Sequence, residues 1–218
     1  MAAKVINLKR KTKSKKVTKP KTKAKVKRKT KAKVTPMMKT KAIQGIILMG
    51  NVGTGKTTLA KELVSENNFV RTSHDDLIQM IKFGTYSRKD RDVYHEIETM
   101  AIAAFFKFQR NFVIDRTNMT KMERARWIKL MKDYAYYAPH VTLSIKIVDF
   151  GRGTDESLDR VVQREIDKHG CGSVGCMDET KTKWEKIYGI MYNAYEKPTL
   201  DEGVGLIQDF NTGEITES

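Results

Sequence analysis

The sequence predicts an α/β domain in which a parallel sheet carries helices on both faces, with a helical lid over one edge. Short apolar runs typical of buried strands alternate with longer stretches whose apolar residues recur at helical spacing. A glycine-rich turn joins the first of these runs to a helical segment, as connected parallel strands require. Residues 42–218 hold 24 basic and 26 acidic residues. The length of this part, about 175 residues, suits one domain with a full core.

The first predicted strand, residues 46–49, leads into a complete phosphate-binding loop. Residues 50–57 read G-N-V-G-T-G-K-T and match G-x-x-x-x-G-K-[ST]. The glycines let backbone N–H groups point at a phosphate, and the following helix adds the positive end of its dipole. Lys56 is expected to reach the β- and γ-phosphates of ATP, and the Thr57 hydroxyl to ligate Mg²⁺. The predicted nucleotide-binding residues are Gly50, Asn51, Val52, Gly53, Thr54, Gly55, Lys56, Thr57 and Thr58.

The remaining elements continue the alternation of strands and helices. After the helix near 58–64, strands are predicted at 68–72, 111–115, 141–150 and 205–210, and helices at 92–109, 121–134, 155–168 and 178–195. Thr120 and Glu123 form a plausible capping box for the helix at 121–134. The helix at 92–109 is expected to bury an apolar stripe that consists of Val93, Ile97, Met100, Ile102, Phe105 and Phe106. Ligands of such sheets gather at the carboxyl ends of the strands.

Two adjacent carboxylates, Asp75 and Asp76, follow the second predicted strand. A kinase whose acceptor is already an anion needs cations there, whereas a neutral hydroxyl acceptor benefits from a carboxylate that takes its proton. Asp75 is therefore the candidate general base. Asp76 either orients Asp75 or caps the helix expected to begin with Leu77, and a purely structural alternative makes both residues helix caps.

Asp115 ends the third predicted strand, where a Walker-B acid would hold the metal or its water shell. The next residue is Arg116, whereas a molecular-motor ATPase normally has a glutamate there, so the sequence argues against a motor. Further along, Arg160, Arg164 and Lys168 recur at four-residue steps and share one helical face. This face either closes over the nucleotide and presents a cation to the transition state, or is a solvated charged surface.

The two cysteines of the chain, Cys171 and Cys176, lie in a glycine-rich stretch that follows His169. A zinc site built from these three residues would lack a fourth ligand and the usual paired C-x-x-C. A disulfide is geometrically feasible, but a nucleotide enzyme without a signal peptide is expected in a reducing compartment. The favoured interpretation is a flexible loop with two free thiols.

Residues 1–41 form a basic tail that is set apart from the domain at 42–218. They contain 18 Lys or Arg and no Asp or Glu. A segment of this composition cannot bury enough apolar area to offset the entropy of ordering, so it is expected to be disordered. Its charge suits a polyanion, and a nucleic acid, with DNA favoured, is the expected partner. A solvated tail without a partner and an import signal at residues 27–29 are the alternatives.

Targeting signals and membrane segments are not evident in the sequence. No apolar core of a secretory signal follows the basic residues. No apolar stretch approaches the roughly 20 residues that span a bilayer. The expected location is the cytoplasm, that of a host cell if the protein is viral, and the expected partners do not include a membrane.

The sequence resembles the kinase domain of phage polynucleotide kinase over about residues 43–197. The motifs that carry the resemblance are the phosphate-binding loop, the Ser73–Asp76 run, the run from Asp115 to Thr120 with Arg124 after it, and the late Arg164 and Lys168. The resemblance extends to phage P-loop kinases that phosphorylate hydroxymethyluracil bases within DNA. It implies that Asp75 is the general base and that Arg164, or less directly Lys168, contacts the phosphates. The family's acceptor-supporting arginine is replaced here by Ile78, and Arg116 interrupts the family's D-T-N run. The linked phosphatase motif is absent from the sequence.

These observations predict an ATP- and Mg²⁺-dependent kinase that acts on a hydroxyl group of a nucleic acid. Lys56, Asp75 and Arg164 are the expected catalytic residues, Lys168 a further ATP contact, and Thr57 and Asp115 the metal ligands. A 5′-hydroxyl end is the leading acceptor, and a hydroxymethyl group on a base within DNA is the next. A small-molecule kinase with an unrelated basic tail and a DNA-binding protein with a vestigial nucleotide site are the alternatives from other classes.

Overall fold

The computed structural model describes residues 40–170 and 173–218, and the predicted tail lies almost wholly outside this part of the chain. Six strands form one sheet in the order β2-β3-β1-β4-β5-β6. The strands are β1 (Lys41–Met49), β2 (Val70–Ser73), β3 (Phe112–Asp115), β4 (Val141–Asp149), β5 (Leu206–Asp209) and β6 (Ile215–Glu217). The first five are parallel, and β6 pairs antiparallel with β5. The predicted α/β fold is confirmed, with an antiparallel edge strand that the sequence did not indicate.

Six α-helices accompany the sheet within the described residues. They are α1 (Lys56–Asn67), α2 (His74–Lys82), α3 (Arg91–Lys107), α4 (Lys121–Tyr136), α5 (Asp155–His169) and α6 (Val174–Ala194). The predicted capping box of α4 is confirmed, because Thr120 and Glu123 exchange hydrogen bonds between side chain and backbone. No helix in the described part of the chain is both long enough and apolar enough to cross a membrane.

The central strand β1 divides the core between the two faces of the sheet. Ile43 and Ile47 point to one face and pack with residues of α3 and α4, including Ile102 and Trp127. Ile46 and Leu48 point to the other face and pack with Ala60 of α1 and with Phe69. Both sets are almost completely buried. Successive residues of a strand face opposite sides, so a continuous apolar run is what a strand covered on both faces requires.

The register of the parallel strands aligns their carboxyl ends. Leu48 of β1 lies beside Asp115 of β3, and Met49 lies beside Asp149 of β4. Ser73, the last residue of β2, also lies beside Asp115. The segments that follow β1, β2, β3 and β4 therefore meet at one edge of the sheet, where parallel α/β proteins bind ligands.

Two elements begin earlier than the sequence patterns predicted. Lys41, assigned to the tail, is the first residue of β1 and pairs with Val141. Helix α2 begins at His74 rather than at Leu77, because the Ser73 hydroxyl accepts a hydrogen bond from the Asp76 N–H and so caps the helix. Asp75 and Asp76 consequently lie in the first turn of α2 and are not its cap.

The buried face of α3 differs from the predicted apolar stripe. Val93 and Met100 are about half exposed, whereas Tyr94 and Glu98 are fully buried with Ile102. The buried positions follow a strict four-residue spacing through Phe106, which places them on one side of the helix. The stripe expected from the apolar residues alone therefore included two surface positions and missed a buried carboxylate.

Candidate active site

The phosphate-binding loop connects β1 to α1 and is fastened to two neighbouring strand ends. The Gly50 N–H donates to the Thr117 carbonyl at 2.9 Å, and the Asn51 N–H donates to the Gly151 carbonyl at 3.3 Å. Gly53 has a φ of 76° and lies against the backbone of Ser157 in α5, where a side chain would not fit. The loop is thus held by the segments after β3 and β4 before any ligand binds.

Asn51 has a structural role inside the loop. Its side chain is fully buried. Its amide nitrogen donates to the carbonyls of Arg152 and Tyr188 at 2.9 and 3.2 Å, and its amide oxygen accepts from the Val52 N–H at 2.8 Å. The amide nitrogen thus joins the loop to the segment after β4 and to α6, and the amide oxygen bonds within the loop. Asn51 therefore supports the shape of the loop through a side chain whose polar atoms all bond to protein groups.

Lys56 lies inside the loop and is only 8% exposed. Its Nζ donates to the Asn51 carbonyl at 2.5 Å and to the Thr54 hydroxyl at 3.3 Å. Burial lowers the pKa of Lys56 to about 8, the negative charges of Asp115 and Asp75 oppose this shift, and the positive charge of Arg164 adds to it. The structure therefore brings all three of these predicted site residues within electrostatic reach of one ammonium group.

Asp75 and Asp76 have different surroundings although they are adjacent. The Asp76 carboxylate forms an ion pair with Arg71 Nη1 at 2.6 Å, whereas Asp75 is exposed and has no ion-pair partner among the described residues. Arg71 also bonds Asp115 through Nη2 at 2.8 Å. This arginine, which sequence reasoning missed, joins the ends of β2 and β3. A cation inside a short strand just before an acidic pair is the signal that could have identified it.

Asp115 and Thr57 carry oxygen atoms of the kind that Mg²⁺ prefers. Asp115 is 6% exposed, and Arg71 occupies its Oδ2. Thr57 is exposed at the start of α1. No group of three metal-binding side chains occurs within the described residues. This donor set still fits Mg²⁺, because Mg²⁺ in nucleotide sites takes one or two protein ligands and completes its shell with water and phosphate oxygens.

A cleft of about 370 Å³ opens between the loop and α5. Arg160 lies closest to the loop: its Nε donates to the Gly53 carbonyl at 3.2 Å and its Nη2 to the Ser157 hydroxyl at 3.1 Å. The lining residues are Gly53, Thr54, Gly55, Thr57, Thr58, Arg160, Val161 and Arg164. Two residues of the predicted lid face, Arg160 and Arg164, therefore line this cleft. Lys168, predicted to contact ATP, is exposed and lies outside this lining.

The residues after β3 form hydrogen bonds that hold the end of β1 in place. Asn118 is buried with a φ of 46°, and its amide donates to the Leu48 carbonyl at 2.7 Å and accepts from the Trp127 indole at 3.0 Å. Arg124 forms a two-bond ion pair with Glu202 and donates to the carbonyls of Asn118 and Met119. The motif that begins at Asp115 therefore fixes the end of β1, from which the loop departs.

Cys176, at the start of α6, is disulfide-bonded. The expectation of free thiols is therefore wrong for this residue. Cys171, the only other cysteine of the chain, and the side chain of His169 lie outside the described part of the structure.

Comparison with solved structures finds a similar fold in an RNA kinase. A fungal RNA kinase shares 13% identity at a TM-score of 0.54, over 82% of this chain and 78% of its own. A chain of the Pnkp1/Rnl/Hen1 RNA repair complex shares 22% identity at a TM-score of 0.43, over 68% of this chain and 46% of its own. A gluconokinase from Sinorhizobium meliloti 1021 shares 13% identity at a TM-score of 0.40, over 76% of this chain and 82% of its own. At such identities the likeness to the RNA kinase supports the fold alone.

Sequence comparison gives the family directly. No curated protein matches the chain. The family model of an AAA domain, AAA_33, matches residues 46–170, which is more than half of the chain and includes the loop, Asp75, Asp115 and Arg164. This range begins in β1 and ends just after α5, so it contains the site described above. The chain therefore belongs to the AAA_33 family of P-loop domains, with a kinase-like fold built to bind ATP.

Proposed function

We propose that this protein is an ATP-dependent kinase that transfers the γ-phosphate to a hydroxyl group of a nucleic acid, with a 5′-hydroxyl end as acceptor. The placement of Asp75, Asp115 and Arg164 beside the loop that holds Lys56 carries the proposal. Asp115 ends β3 beside Leu48 of β1, Asp75 lies in the first turn of α2, and Arg164 lines the cleft at the loop. These are the groups that phosphoryl transfer to a hydroxyl requires.

The loop and α5 are proposed to bind the triphosphate. Lys56 would bridge the β- and γ-phosphates, and Arg160 and Arg164 would face them from across the cleft. Thr57 and Asp115 would hold Mg²⁺, which when bound neutralises phosphate charge. The transition state spreads negative charge over the transferred group, so cations fixed on two sides of it stabilise that charge without reorganising.

Asp75 is proposed to take the proton of the acceptor hydroxyl. Asp76 and Asp115 both form ion pairs with Arg71, whereas Asp75 is exposed and has no ion-pair partner among the described residues. The ion pairs stabilise the charged forms of Asp76 and Asp115, so Asp75 is the better candidate for the base. A nucleic acid is favoured as acceptor because residues 1–41 carry 18 Lys or Arg, a charge that suits a polyanion.

A transfer assay with γ-labelled ATP tests the proposal. The acceptors are 5′-hydroxyl DNA, 5′-hydroxyl RNA, the same strands with a 5′-phosphate, 5′-blocked DNA that contains hydroxymethyluracil, and free nucleosides. Label should enter the 5′-hydroxyl strands and not their 5′-phosphorylated counterparts. Label in the blocked DNA would make a base the acceptor, label in nucleosides alone would indicate a small-molecule kinase, and DNA binding without any transfer would indicate a vestigial site.

Substitution of Lys56 shows whether transfer occurs at this loop. Lys56→Ala should lower the rate by about 10²–10³ or more, because it removes a charge placed where negative charge develops. Lys61→Ala is the matched control, since Lys61 is an exposed lysine on the same helix. Near wild-type transfer by Lys56→Ala would remove the kinase assignment from this loop.

A further inference from the structure

A second cationic cluster, which we call the α3–α4 cluster, lies at the start of α2, the helix whose first turn contains Asp75. It consists of His74, His95, Glu98, Arg116 and Arg126. Arg116 Nη1 bonds Glu98 Oε2 at 2.7 Å, and His74 Nδ1 lies 3.8 Å from Glu98 Oε1. A guanidinium nitrogen of Arg126 contacts the His95 ring.

The cluster carries more positive than negative charge. Its single carboxylate, Glu98, is fully buried and is already bonded to Arg116. Arg126 has no carboxylate partner among the described residues; its guanidinium lies 4.6 Å from the centre of the Trp127 ring. Burial first, and then the charge of neighbouring arginines, lowers the pKa of His95, while burial and Arg116 lower the pKa of Arg126 although Glu98 opposes that shift. An anion at this place would offset the excess positive charge.

The α3–α4 cluster also contains buried polar atoms that lack hydrogen-bond partners among the described residues. His74 Nδ1, Tyr94 Oη and Glu98 Oε1 are buried and have no hydrogen-bond partner within the described part of the chain. The His74 ring stacks edge-on against Tyr94 with 5.3 Å between the ring centres, so the three groups are neighbours. Buried polar atoms are almost always bonded, so unbonded ones indicate a place where a water or a ligand supplies the partner. Of the three, His74 Nδ1 and Tyr94 Oη can donate to an anion, whereas Glu98 Oε1 can only accept.

The sheet order places this cluster on the acceptor side of the site. The strands run β2-β3-β1, with the loop after β1, Arg116 directly after the end of β3, and His74 directly after the end of β2. The distance from the phosphate-binding loop therefore grows from β1 to β3 to β2. His74 is adjacent to Asp75, so an acceptor whose hydroxyl meets Asp75 would extend toward the cluster.

From these observations we infer that Arg126, together with Arg116 and His95, binds the phosphodiester next to the acceptor hydroxyl. The inference rests on the proposed function and deepens it: it names the residues that hold the strand next to the acceptor hydroxyl, through a group that a free nucleoside lacks. A guanidinium held against an aromatic ring is suited to a phosphate, because it offers several donors in one plane.

An oligonucleotide with one neutral linkage tests the site. Two 5′-hydroxyl strands are compared, in DNA and in RNA form: one has an ordinary first phosphodiester and the other a methylphosphonate there. Equilibrium binding is measured with ADP in place of ATP, so that the result does not depend on phosphate transfer. The wild-type protein should prefer the charged linkage by about tenfold or more, and Arg126→Gln should abolish this preference. A preference in only one of the two strand types would identify DNA or RNA as the source of the phosphodiester.

Matched variants separate recognition from folding. Lys129→Gln, an exposed change one turn further along α4, should keep the wild-type preference, and Arg126→Lys should keep part of it. Equal binding of both strands by the wild-type protein, or an equal loss for both strands in Arg126→Gln, would overturn the inference. If no acceptor is phosphorylated but the charged linkage is still preferred, the proposed activity fails while the binding site stands.

Discussion

Asp75 and Asp76 are adjacent, and their different surroundings lead us to expect unequal effects of the same substitution. Asp75→Asn keeps the shape of the side chain and removes its basicity, so turnover should fall by about 10²–10⁴. Asp76→Asn weakens one bond of Arg71, which retains Asp115, and should cost far less. Single-turnover rates and ATP dissociation constants of the two variants decide the matter. A larger loss in Asp76→Asn would show that the base is assigned to the wrong carboxylate.

The lowered pKa of Lys56 links ATP binding to pH. In the folded protein the pKa is about 8, against 10.5 for a free lysine. The phosphates of ATP favour the charged ammonium, so ATP binding should take up a proton above about pH 8, and affinity should fall as pH rises through that value. Calorimetric titrations in two buffers of different ionisation enthalpy measure this uptake. Lys56→Met should eliminate it, and an unchanged uptake would assign the proton to another group.

The same shift affects the stability of the protein without a ligand. The folded-state pKa lies below the unfolded-state value, so between about 8 and 10.5 the unfolded chain binds the proton more tightly. The charged, buried Lys56 therefore disfavours folding below about pH 8, and this cost is relieved as pH rises through the window. Compared with wild type, Lys56→Met should gain stability at pH 7 and lose that advantage near pH 10. Urea unfolding at both pH values measures the difference, and a constant difference would contradict it.

The sequence predicts that residues directly after a buried strand lie at the ligand-binding edge of the sheet, because the carboxyl ends of parallel strands share that edge. Asp75 and Asp115 were predicted as site residues in this way, and they lie after β2 and at the end of β3, at the edge of the sheet from which the loop departs. Arg71 and Glu98 were missed for a physical reason. Each is a single charged residue in a strand or on a helix, and its burial depends on a partner from another element, which no local pattern reveals.

Helix α4 is tied to the turn before β5 by the Arg124–Glu202 ion pair. Arg124 is fully buried, the side chain of Glu202 is 1% exposed, and the two bonds measure 2.6 and 2.8 Å. Removing one partner leaves the other charge buried, so Arg124→Met should lower the free energy of unfolding by about 3–5 kcal/mol. Lys129→Met, an exposed change on the same helix, is the control and should have little effect. Denaturant titrations compare the two.

The double variant Arg124→Met/Glu202→Leu sharpens this test. Replacing both charges by apolar side chains removes the unpaired buried carboxylate, so much of the stability that Arg124→Met alone forfeits should return. If the double variant loses as much stability as Arg124→Met and Glu202→Leu do in sum, the ion pair is not the source of the stability lost in Arg124→Met. The bonds from Arg124 to the carbonyls of Asn118 and Met119 would then be the main contribution.

At the scale of elements, the sequence predicted strands covered on both faces better than edges and helix starts. Strands β1, β3 and β4 carry apolar runs that the periodicity rules detect, whereas β2 and β5 have only short apolar pairs at 69–70 and 206–207. Strand β6 consists of three exposed residues at the other edge of the sheet. It is a strand because its backbone pairs with β5, and its composition has no apolar pattern that would predict it. The early start of α2 follows from the Ser73 cap, whereas the sequence pattern offered only Asp75 and Asp76 as alternative caps.

The order of the strands organises the whole molecule around the loop. Strand β1 lies between β3 and β4, so Asp115 and the first turn of α2 approach the loop from one side. Helix α5 follows β4 and approaches from the other side, where Arg160 and Arg164 line the cleft. The proposed donor and acceptor halves of the site therefore belong to opposite halves of the sheet. The alternation of strands and helices indicates such a sheet, but the strand order itself depends on long-range packing.

The distribution of charge over the whole chain leads to a last expectation about the basic tail, which lies outside the described residues. Deleting residues 1–37 removes 16 Lys or Arg and leaves 26 basic and 26 acidic residues. Affinity for long DNA should then fall, and the plot of log affinity against log salt should become shallower by about 0.9 for each phosphate that the tail neutralises in the intact protein. Transfer to a short acceptor at saturating concentration should persist, because the proposed catalytic groups lie at the edge of the sheet. Salt titrations of the intact and truncated proteins measure the two slopes. Equal slopes would show that the tail does not touch nucleic acid, and an import signal or a protein partner would then be the better interpretation.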